Sequence, residues 1–432
     1  MHRISPPFVP AQSFSLQSHY RKTKLPNGIR IVTEEIAHVR SISIGVWIDV
    51  GSRDENERSN GISHFLEHMV FKGTKHYGMR QIAWSLESVG GYLNAFTTKE
   101  HTCFYARLLD EHLRKAVHVL SDLVQHPAFN KIEMEKEKQV VLEELRNLED
   151  DPDDLIHEYF DQSVYHKHPL GYSVIGKAEN IQSFTREDLL DYVHYHYVPN
   201  KMVIAAAGNL KHDHLVELIQ RCFRSNGDRR ARAKRTRGPK RPSSKVQVFE
   251  KPITQAHICL GTIAFSVKSR QRYPLLVLNT LLGEGMSSRL FQNIRERYGF
   301  AYSVYSFANL MSDTGNFGVY IGTEKSKIDR SIQLIQNELE KLKFKPVSNA
   351  ELKRTKAQLK GTMMLSLESM SSRMMRLGSG EMYYGEYFEL DEILRKIDAV
   401  GTDDIYETAK KLFRFDHFST VIIKPAKQKA VA

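Results

Sequence analysis

Two stretches of this chain lie on each other without a gap. "HTCFYARLLDEHLRKAVHVLSDLV" begins at His101, and "NFGVYIGTEKSKIDRSIQLIQNEL" begins at Asn316. Tyr105 then falls on Tyr320, Leu113 on Ile328, Val117 on Ile332 and Leu120 on Ile335. Each stretch reads as a strand, a break and an amphipathic helix. A repeated order of elements at this spacing points to duplication, and 432 residues exceed one ordinary core. Other strands fit the same scheme. "VRSISIGVWIDVGS" puts Ile42, Ile44, Val46, Ile48 and Val50 on one face, and "QAHICLGTIAFSV" alternates likewise. Strands and long helices mix without strict βαβ alternation. The expected fold is α+β: two similar domains, each a mostly antiparallel sheet backed by helices.

The expected boundary is a basic linker, residues 229–245, between an N-terminal domain, 1–228, and a C-terminal domain, 246–432. The linker holds nine Lys/Arg and no acid, so most of the net charge of +11 is local. Such a run reads as a solvated connection. No aromatic residues interleave its charges, which argues against a nucleic-acid partner. No apolar run approaches a membrane span, and the N-terminus has no apolar core of a secretory signal. It is poor in acids, as mitochondrial transit peptides are, but Pro6, Pro7 and Pro10 would break the helix they need. Three widely spaced cysteines suit a reducing compartment and offer no Cys-ligated zinc. The expected location is the bacterial cytoplasm, with the mitochondrial matrix as the alternative.

One segment carries chemistry. "GISHFLEHMVFKGT" starts at Gly61 and places His64 and His68 four apart, on one face of a helix that Ser63 or Asn60 could cap. Two imidazoles one turn apart can grip one Zn²⁺, and a catalytic zinc needs a third protein ligand and an open position. The HxH pairs at His166/His168, His194/His196 and His212/His214 have no acid at ligand spacing. The third ligand is sought on "EMEKEKQVVLEELRNLEDDPDD". There Glu143 has Gln139, Val140, Arg146 and Asn147 as helical neighbours, a mostly polar setting, whereas Glu144 has Val140, Val141, Asn147 and Leu148 and is expected to face drier surroundings. Glu137, two turns earlier, could orient a ligand. Read alone, Tyr302 is a buried strand aromatic.

HxxEH followed after 75 residues by a glutamate resembles the inverted-zinc-motif peptidases of the pitrilysin and insulysin family. "HFLEHMVFKGT" resembles the processing-peptidase branch. The resemblance implies one zinc per chain held by His64, His68 and Glu144, with Glu67 as general base and Glu137 as a further acid of the site. "GGYLNAFTTKEHT" resembles the active-site edge strand, with Asn94 and Ala95 near the substrate backbone. "GMSSRLFQNIRERYGFAYSVYSF" resembles the segment with the family's Arg/Tyr pair, here Arg295 and Tyr302. The implied activity is a zinc-dependent endopeptidase acting on peptides or unfolded, presequence-like polypeptides. The long relatives carry four domains in one chain, so this two-domain chain implies a homodimer in which Arg295 and Tyr302 act in trans. A hetero-pair with a paralogue is the variant of that picture. Asp154 and Glu158 resemble acids that receive a basic substrate residue. The competing expectation is a non-catalytic structural core-type subunit of the same family.

Overall fold

The structure is a computed structural model that describes residues 19–223, 235–240 and 244–426. The remainder of the 229–245 run therefore lies outside the described residues. Strands β1 (His19–Lys24), β2 (Arg30–Glu35), β3 (Ser41–Ile48), β4 (Tyr92–Thr97), β5 (Thr102–Leu109) and β6 (Met202–Gly208) form one sheet. Strands β7 (Val246–Lys251), β8 (Ala256–Ala264), β9 (Ala301–Leu310), β10 (Gly315–Thr323) and β11 (Ser419–Pro425) form a second. The order in the first is β1-β2-β6-β3-β5-β4, and in the second β7-β11-β8-β10-β9. Removing β1 leaves two sheets of the same order. Each has a single parallel pair, β2–β6 and β7–β11, among antiparallel ones. The gapless match of the two halves thus aligns β5 with β10, and the helix Leu113–Gln125 with the helix Ile328–Phe344.

Alternation divides each sheet into two faces. Ile42, Ile44, Val46 and Ile48 point into the main core of the first half, together with Phe65, Phe104 and Leu120. Trp47 and Cys103 point to the opposite face. What covers that opposite face comes from the other half. Helix Met370–Tyr383 lays Met374 and Leu377 on Trp47, Val203 and Ala205. A Cβ at Gly378 would overlap the Trp47 indole, so the missing side chain sets how closely this helix approaches. Reciprocally, helix Pro152–Tyr165 lays Leu155, Ile156, Phe160 and Val164 on Cys259, Val421 and Ile423 of the second sheet. The strands divide at the linker, but the two halves exchange a covering helix.

The expectation of a solvated linker is corrected over the part described. Arg235 is half-buried and donates to Asp49 Oδ1 at 2.9 Å, Asp54 Oδ1 at 3.0 Å and the Glu100 carbonyl at 2.8 Å. Three acceptors drawn from the first half turn a basic run into a strap. Beside it, Arg53 is buried and donates to Glu100 Oε1 at 2.6 Å and to Asp313 Oδ2 at 2.9 Å. Ser312 N in turn donates to Glu100 Oε2 at 2.9 Å. Glu100 lies in the β4–β5 turn, and Ser312 and Asp313 lie in the β9–β10 turn. The corresponding hairpins of the two halves therefore meet tip to tip through a buried ion network. No helix among the described residues is long and apolar enough to cross a membrane.

Candidate metal centre

The HxxEH segment is helical over Ile62–Val70. Neither Ser63 nor Asn60 caps it. Gly61 enters the helix at φ 100°, tight against Ile175 and Gly176, where any side chain would clash. The cap is the buried carboxylate of Glu55. It accepts from Gly61 N at 2.8 Å, Ser63 N at 2.9 Å and Asn60 Nδ2 at 3.0 Å. Burial pushes the Glu55 pKa up, against these hydrogen bonds. An anion at a helix N-terminus answers both the free N–H groups and the helix dipole. The sequence signal was present only as an acid six residues upstream of Gly61.

A second helix, Lys131–Asp150, crosses the first. Asn130 caps it, accepting from Ile132 N and Glu133 N. His64 Nε2 lies 3.7 Å from Glu144 Oε1, and His68 Nε2 lies 3.5 Å from Glu144 Oε2. One ligand atom from each of the three residues falls within 4.8 Å of the others. Tetrahedral ligands on bonds of about 2.1 Å sit roughly 3.4 Å apart, so the spacing fits one zinc with little adjustment. Among the described residues this is the one such group of histidine, cysteine and carboxylate donors, and the HxH pairs do not join one. His212, for example, is spent on Thr23 and Thr33.

The electrostatics favour a cation. Burial, with a contribution from His68, lowers the His64 pKa to about 3, so its imidazole is neutral and ready to ligate. Burial also disfavours charge on His68. The hydrogen bond to Glu137 and the carboxylates of Glu144, Glu137 and Glu67 outweigh that and raise its pKa. His68 Nδ1–H donates to Glu137 Oε1 at 2.9 Å, which leaves Nε2 aimed at Glu144. The other Glu137 oxygen is held by Lys72 Nζ at 2.6 Å. Lys72 escaped the sequence reading, although it sits inside the quoted motif. Glu144 does not face dry surroundings as expected. Its side chain keeps 44 % of its exposure, and Val140 is itself exposed.

Glu67 is turned toward the sheet rather than into the ligand trio. Thr97 Oγ1, at the end of β4, donates to Glu67 Oε2 at 2.5 Å. Burial raises the Glu67 pKa, and Glu144 adds to the rise, while Thr97 and His68 oppose it. β4 is the edge strand of the first sheet. Asn94 is exposed there, and its Oδ1 accepts from the Ala95 N–H at 2.8 Å, so the edge donor is held by a neighbouring side chain.

Arg295 and Tyr302 are not brought to the histidines within this chain. Arg295 lies in a π-helical turn, Phe291–Glu296, over the Phe291 ring. Tyr302 is 76 % exposed near the start of β9, not a buried strand aromatic. Both line a cleft of about 490 Å³ made of residues from the second half alone. Asp154 and Glu158 do not form a free pair. Asp154 is exposed, whereas Glu158 is half-buried with Lys99 Nζ at 3.9 Å, because their helix turns toward the second sheet.

A helix bearing HxxEH, a carboxylate delivered from a second helix, and a repeated α+β body are the features of the inverted-zinc-motif class. Residues 30–178 match the family model described as Insulinase (Peptidase family M16), and residues 183–359 match that of the Peptidase M16 inactive domain. The chain belongs to peptidase family M16. It is 42% identical over 402 residues to a Bacillus subtilis protein named Uncharacterized zinc protease YmxG, covering 93% of this chain and 97% of that one. It is 37% identical over 396 residues to the Uncharacterized zinc protease SCO5738 of Streptomyces coelicolor, covering 90% and 86%. The crystal structure of a protease from Helicobacter pylori superposes with a TM-score of 0.90 at 25% identity, covering 94% of this chain and 100% of that one. A peptidase M16 inactive domain from Pseudomonas fluorescens, 20% identical, shares the fold with a TM-score of 0.87, covering 94% and 98%.

Proposed function

We propose that the chain is a zinc-dependent endopeptidase, one zinc per chain, held by His64, His68 and Glu144. The observation that carries this is the convergence of the three donors within 4.8 Å of one another, with a half-buried glutamate beside them. Bound between these residues, zinc would supply Lewis acidity and activate water near neutral pH. The rest falls to the chain. Glu137 fixes the ring of His68 through Nδ1–H, keeping Nε2 directed at the site. Glu67 accepts the proton of the attacking water and returns it to the leaving amine, with Thr97 holding its Oε2 and so its orientation. The β4 edge receives an extended peptide by main-chain pairing, which tolerates varied sequences. That pairing requires the Ala95 N–H to exchange its Asn94 partner for a substrate carbonyl.

Arg295 and Tyr302 act from a second subunit, where the Tyr302 hydroxyl donates to the developing oxyanion. An exposed Tyr302 on a cleft remote from its own histidines supports this reading. A homodimer then holds two composite sites, and a paralogue could replace one subunit. The non-catalytic reading is disfavoured because no member of the donor set is missing from the first half. Asp154 keeps its role as a receiver of a basic substrate residue, with Glu158 contributing only if Lys99 yields.

Metal analysis with peptide cleavage tests the central claim. The wild type should carry one zinc per chain, lose cleavage on chelation and regain it on adding zinc. His68→Ala should lose both metal and activity. Undiminished cleavage by metal-free protein would sink the reading. Trans assembly is tested by mixing inactive Glu67→Gln protein with inactive Tyr302→Phe protein. Subunit exchange should restore activity, and a mixture that stays inactive after proven exchange would rule it out.

A further inference from the structure

Outside the metal centre, a groove of about 680 Å³ lies in the second half, walled by the helix Ile328–Phe344 and the segment following the π-helical turn. Its volume is that of a binding cleft for a ligand of several groups. Its charges are unequally matched. Glu351 accepts from Arg289 at 2.8 and 2.7 Å, Glu338 is held by Lys341, and Glu340 accepts from Lys343 at 3.0 and 3.1 Å. The groove's three carboxylates are therefore occupied. Arg297, Arg330 and Lys345 have no carboxylate partner among the described residues. The Arg297 and Arg330 guanidiniums lie 5.6 and 5.7 Å from the centroid of the same Tyr298 ring. Such a ring holds planar cations in place without neutralising them. Two aromatic rings stay open to solvent along the groove, Tyr298 at 39 % and Phe344 at 75 % exposure.

We infer that this groove docks an acidic stretch of polypeptide whose carboxylates alternate with apolar side chains. The unmatched guanidiniums select the charge, and the exposed rings select the apolar neighbours. A small inorganic anion would engage the first set and leave the second idle. The inference rests on the peptidase reading only for the nature of the occupant. Asn293 lies in the same π-helical turn as Arg295, so the groove adjoins the elements that carry Arg295 and Tyr302 but includes neither.

The test is direct binding to the intact Glu67→Gln protein, which keeps it separate from cleavage. The probe is a short fluorescein-labelled peptide alternating Asp/Glu with Phe/Leu, followed by anisotropy. Saturable binding is expected, weakening with ionic strength. It should weaken about tenfold or more when Arg297→Ala and Arg330→Ala are combined, or when the probe carries Asn/Gln in place of its acids. Both arginines are exposed, and an unchanged thermal melt of the double variant verifies its fold. Absence of saturable binding, or equal binding by the double variant or of the neutral peptide, would overturn the proposal. So would full displacement by inorganic phosphate at matched ionic strength, which would make the groove a simple anion site. If cleavage fails for every substrate while this binding stands, the peptidase reading fails and the groove survives.

Discussion

Glu67→Gln is expected to lower kcat by about 10²–10⁴-fold while leaving bound zinc at one per chain. The amide keeps an oxygen for Thr97 Oγ1, so the side chain stays in place. It loses only the capacity to take and return a proton. Glu67 is not among the three converging donors, and its replacement should not release the metal. KM should change little, because no substrate contact is assigned to this carboxyl. Single-turnover cleavage together with metal analysis separates the two effects. A variant retaining zinc and a kcat within about tenfold of wild type would show that the proton moves elsewhere.

The second large effect is on stability. Arg53→Met should cost about 3–5 kcal/mol, because it takes from the buried Glu100 its 2.6 Å cationic partner, leaving Arg235 at 3.7 Å, and removes a bridge to Asp313. The side chains of Arg53 and Glu100 are 1% and 2% exposed, so water cannot replace the lost partner. Urea unfolding measures it as a fall in midpoint. A loss below about 1 kcal/mol would mean that the network behaves like a surface pair. The same variant should loosen the contact of Glu100 with the β9–β10 turn.

The two-half plan and the histidine pair were legible because they rest on period and spacing. Alternation puts Ile42, Ile44, Val46 and Ile48 on one face, and four-residue spacing puts His64 beside His68. Contacts between distant segments were not legible. The cap of the histidine helix comes from Glu55, and nothing local distinguishes that acid from its neighbours Asp54 and Glu57. Arg235 reads as one of nine cations until Asp49, Asp54 and Glu100 surround it. Thr97 lies within the quoted edge-strand segment, but its bond to Glu67 depends on how the helix packs on β4. Glu144 was picked out by a packing argument that Val140 does not obey. It lies at the site because of how the two helices cross.

The exchange of covering helices ties the histories of the two halves together. Trp47 is shaped to a surface that includes Gly378, and the outer face of β8 and β11 is shaped to Phe160. A bulkier residue at either place must be answered on the far side of the chain. One half can thus do without metal donors, but neither can change the shape of these faces without the other.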